Sequence, residues 1–294
     1  MAGRTARALI AVAGAAASWG AWSLFMRPAE LPPATASLIV FVVMGLFLLP
    51  SSLRAAPVVW DRRTRVLLAA YALLDAANLL AFFAAMQTTT VAIAVLTHYL
   101  APVLVAVSAP WIDRRRTPGA VPAALIAIGG LVLVLEPWHT ADAALLGGAL
   151  GAASAVAYAG NIFVSRRVGA AIGPARAMSY HSLGSALIMI PFALAAGGEL
   201  DGGGVAWLAI GAITIGALGG LAFVWGVTAI ASATAAMLTY LEPLVAVAIG
   251  ALIWHEPMGR YAAIGAALVL ASGLHVARAG NRAAVTTTAA APPR

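Results

Sequence analysis

A chain of 294 residues that is 63% hydrophobic and 9% charged has too little polar surface to cover a water-soluble globule of its size. Its net charge of +7 is carried by arginine without any lysine, in short clusters beside separate apolar runs rather than on one basic face, which argues against a nucleic-acid partner. The lack of cysteine excludes a disulfide framework, a thiolate metal site and a thiol nucleophile.

Apolar stretches near the ~20 residues that cross roughly 30 Å of hydrocarbon can be drawn ten times. They cover 8–26, 34–50, 66–86, 90–111, 118–136, 143–164, 175–197, 204–227, 230–253 and 259–277. Because they are continuously apolar rather than alternating, the expected class is all-α integral membrane, with ten transmembrane helices and no barrel. The first run, preceded by Arg4 and Arg7, also resembles a signal peptide, but its removal would leave nine spans. With the amino terminus inside, only Arg27 and Arg260 fall outside, against fifteen arginines on the cytoplasmic side. That asymmetry predicts a multi-pass protein of the inner (plasma) membrane with both termini cytoplasmic.

A charged side chain in lipid costs roughly 2.5–3.5 kcal/mol on insertion scales, so intramembrane polar residues should face the bundle interior or water. In the first span Ser18 and Trp22 are four apart with Trp19 beside them. In the third, Asp75, Asn78 and Phe82 follow i, i+3, i+7 and share a face. Asp75 needs a cation, a proton or an aqueous path there; its bland alternative is a protonated acid bonded to a neighbour. The fourth span carries His98 and Tyr99, and His98 is either a proton relay near neutrality or a structural donor. The sixth places Ser154, Tyr158, Asn161 and Ser165 on one face, and the seventh holds His181. Such Ser, Asn and Tyr residues either line a cavity or act as glue between packed helices. Gly216 and Gly220 of the eighth span form a Gly-x-x-x-Gly spacing, which signals close packing.

Residues 82–110 and 223–251 read as two copies of one passage, clearest where Thr97-His98-Tyr99-Leu100-Ala101-Pro102 meets Leu238-Thr239-Tyr240-Leu241-Glu242-Pro243. Aligning Pro102 with Pro243 pairs Phe82 with Phe223 and Tyr99 with Tyr240, and sets Glu242 against Ala101. Each proline removes a backbone donor and is expected to leave a carbonyl free near His98 and Thr239, which makes both candidate hinges. An odd number of spans per half inverts the second copy. The expected organisation is a first five-helix repeat over 1–137, a second, inverted one over 138–278, and a disordered cytoplasmic tail over 279–294.

The aromatic-Leu-x-Pro signatures Tyr99–Pro102 and Tyr240–Pro243 are followed by Asp113 and Glu256 and by glycine-bearing last helices (Gly129, Gly130; Gly265, Gly273). In these features the chain resembles the drug/metabolite transporter superfamily, in particular its ten-span EamA-type members. The run from His98 to Pro102 looks closest to aromatic amino-acid exporters. The resemblance implies a central cavity lined by helices 1 to 4 and 6 to 9, with 5 and 10 peripheral, opening alternately to each side.

The expected function is a secondary transporter exporting small metabolites, namely amino acids with aromatic or apolar side chains. Trp19, Trp22, Tyr99, Tyr158 and Tyr240 would stack on the side chain, and Asn78, Asn161 and Glu242 would hold the polar end, alongside Asp75, Phe82 and His98. Without lysine there is no P-loop, so movement is downhill or ion-coupled, with protons as the candidate ion. Two alternatives stay open: a passive channel or facilitator for small solutes, and an intramembrane enzyme, the latter disfavoured because neither His-Glu-x-x-His nor Gly-x-Ser-x-Gly occurs. The expected partners are a small-molecule substrate and the bilayer, with no cofactor, metal or catalytic residue, in a monomer or weak homodimer.

Overall fold

The computed structural model describes residues 2–89, 91–114, 116–136, 138, 145–197, 200–255 and 259–289. Glu256 and residues 290–294, which entered the sequence reading, lie outside them. Among the described residues the regular structure is helical throughout, in ten stretches. These are α1 (Gly3–Ala29), α2 (Pro33–Arg54), α3 (Arg62–Thr88), α4 (Val91–His98 and Ala101–Ile112) and α5 (Ala120–Leu135), followed by α6 (Leu145–Ile172), α7 (Pro174–Ala196), α8 (Gly202–Val227), α9 (Ser232–Leu252) and α10 (Ala262–Ala289). Eight are long and apolar enough to cross a membrane, and α5 and the apolar part of α10 are shorter. Their outer faces carry large exposed side chains such as Ile10, Leu73, Leu125, Leu187 and Leu194, which is the surface that lipid covers.

Several helices outrun the apolar spans, because hydropathy marks the part in hydrocarbon while the helix continues into the polar interface. α3 begins at Arg62, where the Asp61 carboxylate accepts the Thr64 N–H at 2.7 Å and caps the first turn. α6 continues through Arg166 and Arg167 to Ile172. α10 likewise runs on to Ala289, so the backbone of 279–289, read above as a disordered tail, is helical. α5 is short because a left-handed Gly119 (φ 73°) precedes it and a left-handed Glu136 (φ 41°) ends it.

The inverted repeat is visible in how α2 meets α7. Thr35, at the start of α2, donates to Gly197 O just past the end of α7 (3.1 Å), while Arg176, at the start of α7, donates to Ala55 O and Ala56 O just past the end of α2 (2.7 Å each). The two helices are therefore antiparallel. Adding 141, the offset that pairs Pro102 with Pro243, turns 35 into 176 and 56 into 197, so the repeat exchanges one contact for the other. The other neighbours obey the same exchange: α3 packs on α6 as α8 packs on α1, and α5 pairs with α10. In the last pair Gly130 lies against Gly265, where a Cβ on Gly130 would stand 2.7 Å from Gly265 O.

The two repeat passages break alike. α4 stops at His98 and resumes at Ala101, and α9 stops at Leu238 and resumes at Leu241. At each break the turn tightens to i, i+3 bonding, with Leu100 N to Thr97 O (3.3 Å) and Thr239 N to Ala236 O (3.2 Å). The repeat-matched tyrosines meet between the breaks: Tyr99 and Tyr240 stack at 6.0 Å, and the Tyr240 hydroxyl donates to Tyr99 O at 3.1 Å.

Candidate transport cavity

Between the halves lies a cavity of about 610 Å³, walled by α1 to α4 and α6 to α9; among the described residues α5 adds only Leu135, and α10 contributes none. That volume is within the ~300–1,000 Å³ usual for small-molecule sites.

One wall is polar. α3 presents Tyr71, Asp75, Asn78 and Phe82 along a single face, opposite Tyr158, Asn161 and Ser165 of α6. Asn161 Nδ2 donates to Asp75 Oδ1 at 2.9 Å, and His181 Nε2 of α7 lies 3.0 Å from Asp75 Oδ2. The His181 ring is stacked on Tyr71 at 3.9 Å, with 8° between planes. One turn further along α3, Ser154 donates to Asn78 Oδ1 (2.9 Å), so at its 2.7 Å contact with His98 Nδ1 the hydroxyl accepts. This order fixes the His98 proton on Nδ1 and leaves Nε2 as the acceptor nitrogen. Phe82 and Tyr158 hold the His98 ring at 4.5 and 5.0 Å. Two buried polar atoms on this wall, the Tyr158 hydroxyl and Asn161 Oδ1, have no hydrogen-bond partner.

The opposite wall is apolar, and the repeat explains how. Shifting by 141 carries Asp75 to Gly216 and His181 back to Val40, both on the lining, whereas Asn78 and His98 go to Gly219 and Thr239, which are not on it. Gly216 lies against Met44 and Trp22, and Trp19 packs on Phe223 at 4.9 Å. Glu242 reaches the cavity from the first turn after the break in α9, where its carboxyl faces the Tyr99 hydroxyl.

The two ends differ. At one, the lining reaches the last turns of the helices, through Met86, Leu135, Arg27 and Trp254. There the Arg27 guanidinium lies 5.0 Å from the Trp254 ring, whose Nε1 donates to Ser23 Oγ at 3.2 Å. At the other end Asp113, with its side chain only 3% exposed, joins three helices. It pairs with Arg166 (2.8 Å) and Arg167 (3.1 Å) of α6 and accepts from Ser232 at the start of α9. Arg167 also donates to Ile112 O at 2.7 Å.

Ten of the eleven residues singled out from the sequence lie on this cavity: Trp19, Trp22, Asp75, Asn78, Phe82, His98, Tyr99, Tyr158, Asn161 and Glu242. Tyr240 does not. It is 1% exposed and fills the space behind Tyr99, since the break in α9 turns its ring toward the break in α4. Of the two prolines, Pro243 borders the cavity and Pro102 is packed in the core. Thr239 O, expected to be left free by Pro243, accepts from Glu242 N at 3.1 Å because the tightened turn supplies a replacement donor.

The sequence reading missed Tyr71, Arg27, Trp254 and the methionines Met26, Met44, Met86 and Met178, and it gave His181 little weight. Tyr71 was within reach, lying one turn before Asp75 on the same face. Methionine has no pattern that separates cavity from core, and the His181–Asp75 contact spans 106 positions.

The model of the EamA-like transporter family matches residues 6–136 and again 145–277, once in each half. A protein of known crystal structure superposes with a TM-score of 0.77 at 20% identity, covering 92% of this chain and 98% of that one, and 28 chains of known structure match in all. No curated protein matches in sequence. Two family matches spanning most of the chain, on a ten-helix bundle around a central cavity, identify it as a multi-pass membrane protein that belongs to the EamA-like transporter family.

Proposed function

We propose that this chain exports small metabolites, namely amino acids with aromatic or apolar side chains, by alternating access through the central cavity. The observation that carries the reading is the division of the cavity into a polar wall and an aromatic wall. Asp75, Asn78, Asn161 and Glu242 suit an ammonium and a carboxylate at one end of the cargo, and Trp19, Trp22 and Phe223 suit a flat or apolar body at the other. The unpaired Asn161 Oδ1 and Tyr158 hydroxyl supply hydrogen-bonding capacity that a bound molecule would use.

We take the Asp113 cluster, which ties three helices at the end away from Arg27 and Trp254, as a closure, which supports a carrier caught in one of two states rather than a continuous pore. The arginines in and around that cluster, together with Arg62, Arg63 and Arg65, support a cytoplasmic position for this end, in the inner membrane. The test is counterflow in proteoliposomes. Saturable exchange of L-phenylalanine or L-tryptophan, weakened by Asn78→Ala or Tyr99→Ala at equal protein content, supports the reading. Linear, non-saturating flux, or saturable exchange confined to sugars, rejects it.

A further inference from the structure

We propose that Asp75 and His181 together form a single-proton site whose proton exchanges for the positive charge of the cargo. The inference rests on the exporter reading above and adds the coupling ion and its seat.

Counting hydrogens on the two ring nitrogens leads there. Ala177 O can only accept, so the 3.1 Å contact with His181 Nδ1 requires a proton on that nitrogen. The 3.0 Å contact between Nε2 and Asp75 Oδ2 then requires a second proton between them. Whether that proton sits on the ring, as imidazolium and carboxylate, or on the carboxyl, as imidazole and acid, the pair carries no net charge. Its removal would leave the Nε2 lone pair facing a carboxylate oxygen, and the ring cannot turn away: it is 2% exposed and stacked on Tyr71, whose hydroxyl is tied to Met178 Sδ at 3.7 Å. The carboxylate is the movable partner, because Asp75 borders the cavity.

The surroundings leave the pair as a separate unit. Among the described titratable or charged groups, the facing ones are Tyr71 on the same helix, Tyr158 on α6, His98 on α4 and Glu242 on α9. On α7, Arg176 is turned to Ala55 O and Ala56 O. The lining residues of α2 and α8 are not titratable, and Arg27 of α1 is at the far mouth.

At the pair the exchange is one positive charge for another; the cargo carboxylate travels with its ammonium, so the net charge carried in each cycle is that of the proton. A cargo ammonium donates to Asn161 Oδ1 and to the Asp75 carboxylate; the Nε2–H bond (or the Asp75 O–H bond) breaks, and the proton passes to water in the cavity. When the cargo leaves, a proton from water restores the pair.

Two measurements on the full-length protein test this. The first is nitrogen-15 spectroscopy of histidine-labelled protein in lipid nanodiscs, with His181 assigned by His181→Gln. We expect the wild-type ring to be protonated at Nδ1 and hydrogen-bonded at Nε2, with the shared proton lost on raising the pH. Asp75→Asn, whose amide itself donates to Nε2, should keep a neutral, pH-insensitive ring. A wild-type ring with Nδ1 bare, or one whose pH response is unchanged by Asp75→Asn, overturns the proposal. The second is proton movement read by pyranine inside proteoliposomes under an L-phenylalanine gradient. One proton should move opposite to each amino acid, and whatever flux Asp75→Asn retains should move without protons. Amino-acid flux without a pyranine signal in the wild type also overturns the proposal. Absence of amino-acid flux rejects the exporter reading instead, and the spectroscopy still decides the pair.

Discussion

Asp113→Asn removes the charge that joins α4, α6 and α9 at the closed end while keeping the side chain's shape. Breaking a fully buried ion pair costs roughly 3–5 kcal/mol and breaking an exposed one about 0–1 kcal/mol. Asp113 is 3% exposed, but its partners Arg166 and Arg167 are 17% and 28% exposed, so the cluster belongs between these limits, at about 2 kcal/mol. If the cluster exists only in the state closed at this end, that loss moves the balance between states about thirtyfold, at ~1.4 kcal/mol per factor of ten. The chain has no cysteine, so Ser165→Cys gives a single reactive site on the cavity wall in an otherwise inert background. An impermeant maleimide applied from the arginine-rich side should label this cysteine slowly in the parent and up to about thirtyfold faster with Asp113→Asn. Melting temperature checks that the fold is intact. A labelling rate within twofold of the parent, in a protein that melts normally, would refute the role of the cluster as a closure.

Other outcomes follow from individual contacts. Tyr240→Phe should lower stability by about 1 kcal/mol, because it deletes one buried hydrogen bond and keeps the ring stack; an unchanged melting curve would count against the Tyr240–Tyr99 O bond. Gly20→Ala should destabilise by roughly 1–3 kcal/mol, since its Cβ would lie 2.7 Å from Val245 Cβ and 2.9 Å from Ala246 N on α9; normal expression and melting would mean that α1 and α9 are further apart. The Asp61 carboxyl is held below the usual carboxylate range because it accepts from the Thr64 hydroxyl and N–H. A folded-state pKa below the unfolded one stabilises above the unfolded value, and the benefit fades as pH falls through the folded one. The gap in melting temperature between wild type and Asp61→Ala should therefore be present at neutral pH and shrink in acid, and a gap that persists in acid would exclude the cap.

Much of the architecture was legible because lipid imposes a simple rule: backbone polar groups must be satisfied within each span, so every long apolar run is a helix. Its ends were less legible. Arg62 to Arg65 and Arg166 to Ile172 are helical outside the apolar spans, where hydropathy stops reporting and capping by Asp61 takes over. Within the cavity, the local spacing on α3 and α6 put Asp75, Asn78, Tyr158 and Asn161 on the right faces. Spacing along one helix says nothing about which neighbour arrives, so the His181 ring and the turning of Tyr240 into the core were out of reach.

The repeat itself was readable, but the departures from it carry more chemical information than the agreement. Where the halves agree, as in Thr35 with Gly197 and Arg176 with Ala56, the matched contacts hold α2 against α7 and build the frame. Where they differ, at Asp75 against Gly216 and His181 against Val40, the difference falls on the cavity wall. Two identical halves would make a cavity with matching walls, able to hold a molecule with two like ends. Glycine at 216 admits Trp22 and Met44 at the position where the other half places a carboxylate, so one wall carries the Asp75 charge and the other offers apolar area. A cargo with one ionic end and one apolar end has a single favourable orientation between such walls, and that orientation brings its charged group to Asp75.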